Sequence, residues 1–369
     1  MIKHPVFHVE PWCLRELALD LDVLAQSESV FALSNGHIGW RGNLDEGEPH
    51  GLPGSYLNGV YENTPLPFAE AAYGLPESGQ AVLNVTNGKL IRLFVDDEPF
   101  DVRYGTLRTH ERALDFRAGT LARRAEWVSP VGAVVRVSST RLVSFTQRAI
   151  AAIRYEVEPL DGPVRIAVQS ELLANEQMPP LTGDPRLGAA LDQPLEQEFQ
   201  ATHDHAAVVV HRTRKSQLRI GAAMDHVIDA PGPRIESHIF PDGGLVAVAA
   251  VLAPGQRLSL IKFVAYGWSG ARSLPGVRDQ VWAALTAARQ TGWDGLLADQ
   301  RAYLDEFWDR ADVEIEGDTE VQQAVRFALF HVLQAGARGE SRPIPASRPT
   351  SFPMAGWSPP RRSWLPDSG

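Results

Sequence analysis

The feature that most constrains this chain is a change of period. Up to about residue 270, apolar side chains recur every second residue in short segments divided by turn residues; beyond Trp268 they recur at helical spacing. In AVLNVTNGKLIRLFVDDEPF (81–100), Ile91, Leu93 and Val95 share one face of a strand, because successive strand side chains point to opposite sides. Segments 134–145, 151–172, 206–213 and 258–268 repeat the pattern. Asn87-Gly88 and Asp161-Gly162 carry the signature of hairpin turns, since these residues tolerate positive φ. The longest apolar run, LVAVAAVLA at 245–253, is far short of the ~20 residues that span a bilayer and reads as a buried strand. Many antiparallel strands, with no alternation of strand and helix, predict a large β-sandwich or a pair of packed sheets and exclude a doubly wound fold.

The second texture predicts three helices. Ser273 is the expected cap of the first, with Pro275 in its first turn and Val277, Val281, Trp282 and Leu285 along one face. Thr291-Gly292 breaks it, and a second helix carries Trp293, Leu296, Leu297, Leu304, Phe307 and Trp308. Asp318 or Thr319 caps a third, with Val321, Ala324, Val325, Ala328, Leu329, Val332 and Leu333, widened by Phe327 and Phe330. A helix apolar on so many sides expects neighbours. After Ile344-Pro345-Ala346 the sequence becomes SRPTSFPMAGWSPPRRSWLPDSG, rich in Pro, Ser and Arg and without either period, so residues 347–369 are expected to be disordered or loosely attached.

With 369 residues the chain can hold two domains. A formal charge of −10 and a pI near 5.6, with arginines spread among acids, exclude a nucleic-acid partner, because phosphate neutralisation needs a clustered basic face. Cys13 is the only cysteine, which rules out an intrachain disulfide and suits a reducing compartment; beside Trp12 it reads as a small buried hydrophobe. The N-terminal MIKHPVFHVEPWCLRE has no apolar stretch of signal-peptide length. The expectation is a cytoplasmic protein with no membrane partner.

No catalytic constellation is visible in residue chemistry alone. SNGHIGWRGN (34–43) spells GxxGxxG, which is neither the phosphate loop GxxxxGK[ST] nor the dinucleotide loop GxGxxG. Its glycines, with Asn35 and Asn43 nearby, fit a strand–turn–strand where the backbone bends or passes close to another surface. His203 and His205 alternate across Asp204, so a strand would place both on one face, and His211 could join them. Without carboxylate or cysteine partners at ligand spacing, no metal site is expected. Asp45-Glu46 and Asp96-Asp97-Glu98 are adjacent acids in turn-like context and are expected to face water, whereas glycoside cleavage needs carboxyls ~5–10 Å apart across a sugar. Trp40 and Trp127 could stack on a sugar ring, but core packing is the commoner use.

Longer stretches carry a resemblance. ESVFALSNGHIGWRGNLDEG (28–47), GLPGSYLNGVYE (51–62), LNVTNGKLIRLFVDDEPFD (83–101), LDFRAGTLARRAEW (114–127) and YLDEFWDRADVEIEGDTEVQQAVRFALFHVLQ (303–334) resemble, in order, glycoside hydrolase family 65, over roughly residues 5–346. The family includes inverting phosphorylases of maltose, trehalose, kojibiose and related α-glucosides. The resemblance implies a mainly β chain: a large antiparallel β-sandwich, galactose-mutarotase-like, over 1–270, a helical linker over 271–317, the first helix of an incomplete (α/α)6 barrel over 318–346, and a non-family tail over 347–369. The expected partner is an α-glucosidic disaccharide, with inorganic phosphate as co-substrate and no cofactor or metal; a homodimer is the expected full-length form. Asn35, Arg41 and Asn43 are the candidate substrate-binding residues.

The resemblance also implies what is missing. Family members continue past a motif like IPA into a Gly-rich loop and the rest of the barrel, where the general-acid glutamate and phosphate-binding residues lie. Glu316, Glu320 and Glu340 lie upstream of that point, so no catalytic residue is assigned and the chain is expected to be truncated and inactive alone, with a frameshift as one origin. In the implied reaction the glutamate protonates the glycosidic oxygen while phosphate attacks the anomeric carbon from the opposite face, giving β-glucose 1-phosphate. One carboxylic acid suffices because phosphate, unlike water, needs no base. The alternatives are a stand-alone carbohydrate-binding sandwich, or a non-functional fragment.

Overall fold

A computed structural model of the chain describes residues 6–65, 78–176 and 193–336. Expectations for Glu340 and for 347–369 lie outside those residues. The chain is mainly antiparallel β with helices at its C-terminal side. A ten-stranded sheet runs in the order Phe7–Glu10, Cys13–Glu16, Thr106–Asp115, Thr120–Val128, Val134–Val143, Ile150–Pro159, Leu258–Ser269, Arg219–Asp229, Ala206–Thr213 and Leu195–His203. A five-stranded sheet runs Arg234–Phe240, Gly243–Leu252, Val164–Leu173, Ile91–Val95 and Glu98–Pro99. A small sheet of Leu33–Ser34, Ile38–Trp40 and Ser55–Leu57 lies within residues 27–58.

Period two does the work expected of it. Ile91, Leu93 and Val95 are buried between half-exposed neighbours, and they join Val137, Ile153, Ile166, Val168, Val246, Val248 and Val264 in one core between the sheets. The 245–253 run is indeed a strand, Gly243–Leu252, and its burial alternates.

Both predicted hairpin turns are corrected. The chain leaves the ten-stranded sheet at Pro159 and enters the five-stranded sheet at Val164, so Asp161-Gly162 links the two layers. Alternation on both sides of a short link cannot reveal whether the flanking strands pair or diverge. Asn87 instead bridges to Leu173 (N–O 2.7 and 3.0 Å), and its side-chain oxygen accepts from the Lys89 amide at 2.9 Å. Gly88 is needed for close approach: a Cβ there would sit 2.7 Å from the Tyr266 hydroxyl and from Val264.

Helix α1 spans Leu24–Val30, α2 Leu274–Ala311 and α3 Thr319–Gly336. Ser273 caps α2, accepting from the Gly276 amide, and Gly292 breaks it with φ 72° and ψ 171°, as the sequence predicts. The first half of α2 lays Val277, Val281, Leu285 and Ala288 on the outer face of the large sheet, over Leu142, Ile150, Ala152, Phe263 and Ala265. The second half buries Trp293, Leu296, Leu304 and Trp308, whose indole donates to Phe116 O at 2.9 Å.

Asp318 caps α3 through the Val321 amide at 3.0 Å. The buried stripe of α3 is Gln322, Arg326, Phe330 and Gln334, whereas Val332 is 69% exposed. The predicted inward face is therefore turned partly to solvent. Polar residues take its place because they face irregular backbone: Gln322 bonds Val313 O and the Ile315 amide, and Arg326 pairs with Asp312 (2.7 Å twice) while lying over Trp12. Among the described residues no helix is long and apolar enough to cross a membrane.

Candidate functional site

Residues 34–43 form the hairpin the glycine spacing predicts, with Leu33 opposite Trp40 and Ser34 opposite Gly39. Gly36 makes the turn at φ 75°, and a Cβ on Gly42 would lie 2.5 Å from Phe31 Cβ. Asn35 is buried at the turn. Its amide nitrogen donates to Ser144 O (2.6 Å) and Arg148 O (3.0 Å), and its oxygen accepts from the His37 and Ile38 amides (3.0 and 2.8 Å). Arg41 donates to Ala25 O at 2.8 Å and lies 3.5 Å from Glu28; Asn43 donates to Leu52 O at 2.9 Å. The three candidates thus sit along one hairpin, each bonded to its own protein. Ser34 bonds Gln334, tying the hairpin to the end of α3.

Below the hairpin lies a cluster that reverses one expectation. Asp45 and Glu46 do not face water; they are 1% and 4% exposed. Asp45 accepts from Arg141 (2.9 and 2.6 Å), Ser139 (2.7 Å) and Arg123 (3.2 Å), and Glu46 from Arg123 (2.7 and 3.0 Å) and Tyr155 (3.3 Å). Inward-pointing arginines on neighbouring strands drew these acids inside, and the acids at 45–46 carry no sign of that. Burial alone would push both carboxyls up. Arg141 and Arg123 outweigh it at Asp45, which is held low; at Glu46 burial wins over Arg123, with the neighbouring Asp45 charge adding to the rise. Glu16 receives Arg112 at 2.6 and 3.0 Å, and Arg112 also donates to Gly42 O. His110 accepts from Arg123 through Nε2, and burial, then the Arg123 and Arg112 charges, hold it neutral, down at about 2. Asp45 and Glu46 line none of the three clefts around Trp282, Trp268 and Phe327. Carboxylates so enclosed spend their oxygens on arginine and hydroxyl donors of the fold itself.

The accessible feature nearby is a cleft of about 520 Å³ lined by His37, Asn58, Arg148, Tyr266, Trp268 and Gln280 among others. The Trp268 indole donates to Asn58 O at 2.9 Å, and its ring covers Gly59, where a Cβ would come within 2.4 Å. Asn58 donates in turn to Gly36 O at 3.0 Å. His37 is pushed down to about 4, first by burial and then by the Arg148 charge, and stays neutral at ordinary pH. His37, Arg148 and Trp268 escape sequence reasoning because they lie on three distant segments; only His37 falls inside the quoted motif.

The remaining candidates disperse. His203 ends one strand and His205 follows a turn at Asp204 (φ 49°), so a hairpin turn and not a single strand joins them, and buried His211 lies further along the second strand. Trp40 and Trp127 are both core residues; Trp40 packs edge-on to Tyr266, and Trp127 donates to Tyr104 O at 2.8 Å. Cys13 is buried, and burial pushes its thiol up to about 12. Glu316 is exposed and Glu320 opens α3.

Residues 14–307 match the glycosyl hydrolase family 65, N-terminal domain. The chain belongs to that family. It is 59% identical over 347 residues to an uncharacterized glycosyl hydrolase of Mycobacterium leprae, covering 94% of this chain and 44% of the relative. It is 31% identical over 342 residues to the α,α-trehalose phosphorylase of Thermoanaerobacter brockii, covering 91% of this chain and 44% of the relative. A solved structure provisionally assigned as a kojibiose phosphorylase from human microbiome superposes with a TM-score of 0.81 at 21% identity, over 89% of this chain and 42% of that one. The chain thus spans a little under half the length of the relatives it matches.

Proposed function

We propose that this chain is the sandwich-and-linker part of a disaccharide phosphorylase, and that the longer protein cleaves an α-glucosidic disaccharide with inorganic phosphate, with inversion, to β-glucose 1-phosphate. The observation that carries the reading is the 31% identity to a trehalose phosphorylase sustained over 91% of this chain. On this reading residues 1–270 are the sandwich, 271–317 the linker and 318–346 the start of the catalytic barrel. The partly uncovered apolar side of α3 supports a further packing layer.

Glu16, Glu28, Asp45 and Glu46, the carboxylates enclosed near the hairpin among the described residues, are committed to arginine, hydroxyl or backbone donors, which supports placing the general acid beyond these residues and expecting no turnover from this chain alone. Asn35, Arg41 and Asn43 then serve the substrate indirectly, by holding the hairpin. A cytoplasmic setting fits the single, inert cysteine, and a homodimer is the assembly proposed for the longer protein.

The test is a version of the relatives' length supplied with phosphate and, in turn, trehalose, maltose and kojibiose. Release of glucose 1-phosphate in the β configuration, read by NMR, is the expected result. The α anomer would refute inversion, and hydrolysis without phosphate uptake would refute phosphorolysis.

A further inference from the structure

We propose that the cleft beside the hairpin binds a hexose phosphate, its ring against Trp268 and its phosphate on Arg148. The volume, about 520 Å³, lies within the ~300–1,000 Å³ of ordinary small-molecule sites. Its chemistry is one-sided. Arg148 is exposed and makes no ion pair among the described residues. The His37 ring, neutral at ordinary pH, has no hydrogen-bond partner among them. The Gln280 oxygen is occupied by Arg272 at 2.6 Å, which leaves its NH2 group to donate. Among the described residues no carboxylate lines the cleft.

A wall that offers a free guanidinium and a free amide NH2, with no acid among the described residues, calls for a ligand with acceptor oxygens, and a guanidinium fork matches those of phosphate. Trp268 supplies the apolar face that a bare anion would not use. The site is also held in place: Asn35 grips the Arg148 carbonyl, and Asn58 and Gly59 fix the Trp268 ring. Such rigidity lowers the ordering cost of binding. That the sugar is a hexose rests on the phosphorolysis reading, whose product is of that class; the phosphate and the ring do not.

The experiment titrates the 369-residue chain with β-glucose 1-phosphate, glucose and inorganic phosphate separately, following tryptophan fluorescence and calorimetry. Glucose 1-phosphate is expected to bind more tightly than either component, and Trp268→Phe to abolish most of the fluorescence change. Arg148→Gln should weaken binding about tenfold through loss of a charge-assisted contact, with unchanged circular dichroism. Higher salt should weaken it further. His37→Ala should cost a few-fold. Phosphate binding as tightly as glucose 1-phosphate, no binding at all, or full affinity in a folded Arg148→Gln chain would each overturn the proposal. Turnover by the longer version is read separately, so binding without turnover would sink the phosphorolysis reading alone, and turnover without binding would sink this one alone.

Discussion

Under the five-stranded sheet, the inner face of the large sheet carries Met224, Leu258 and Leu260 against Ile166, Val168, Val246 and Val248. Under residues 27–58 the same face carries Glu16, Arg112, Arg123 and Arg141 against Asp45 and Glu46. The difference lies in what covers the sheet. A second sheet satisfies its own backbone through its ladder and can present an apolar face. Residues 27–58 contain only short strands and the end of α1, so many of their amides and carbonyls need side-chain partners. Arg112 reaches Gly42 O, Lys89 reaches Gly54 O, and Glu28 accepts from the Gly51 and Leu52 amides. The charges are the means by which an irregular segment is buried.

That contrast can be broken most directly at Asp45. Asp45→Ala leaves Arg141 and Arg123 without their shared carboxylate and should cost about 3–5 kcal/mol, read as a fall in the urea midpoint. In the dry half, Ile166→Val should cost only about 1 kcal/mol. If the two variants unfold at the same urea concentration, the ionic half is not held by its charges.

Proton binding sharpens the comparison next. Burial, the largest influence on both, pushes Lys89 and Lys262 down to about 7. The unfolded chain, with ordinary lysines, then holds more protons between about pH 7 and 10. Stability should rise with pH across that window, by about 1.4 kcal/mol per pH unit for each lysine neutral in the fold. Lys89 serves the irregular segment, whereas Lys262 bonds Leu90 O and Glu171 O beside the five-stranded sheet. Lys89→Met should remove about half the slope; an unchanged slope would place the effect elsewhere. His226, at about 3, and His110, at about 2, are likewise lowered chiefly by burial. Below about pH 6.5 the unfolded chain gains protons first, so stability falls as pH drops. The smallest effect belongs to exposed Val332, where Ser should change stability by no more than about 0.5 kcal/mol.

What the sequence discloses follows the same division. Alternation marks Ile91, Leu93 and Val95 as core, and Ser273 and Gly292 mark the start and break of α2, because each rests on local geometry. Asp161-Gly162 misleads because pairing is decided across the molecule. The α3 face misleads because Gln322 answers to backbone at Val313 and Ile315, and Arg326 to the Asp312 carboxylate and the Trp12 ring, rather than to a hydrophobic layer. The arginines carried a signal that alternation could have exposed: Arg123 shares the parity of Leu121, Ala125 and Trp127, and Arg141 that of Val137 and Val143. The His37–Arg148–Trp268 cleft joins segments more than a hundred residues apart and has no local signal.

The central claim is that the carboxylates near the hairpin, paired with arginine or held by backbone donors, are structural and that none of them is the acid of a glycoside-cleaving centre. The most direct measurement is phosphorolysis by the purified 369-residue chain with trehalose, maltose and kojibiose, beside a Glu46→Gln variant. The account predicts no glucose 1-phosphate from either protein with any of the sugars. Turnover by the parent chain that disappears in a folded Glu46→Gln chain would contradict it and move the reaction into the buried cluster.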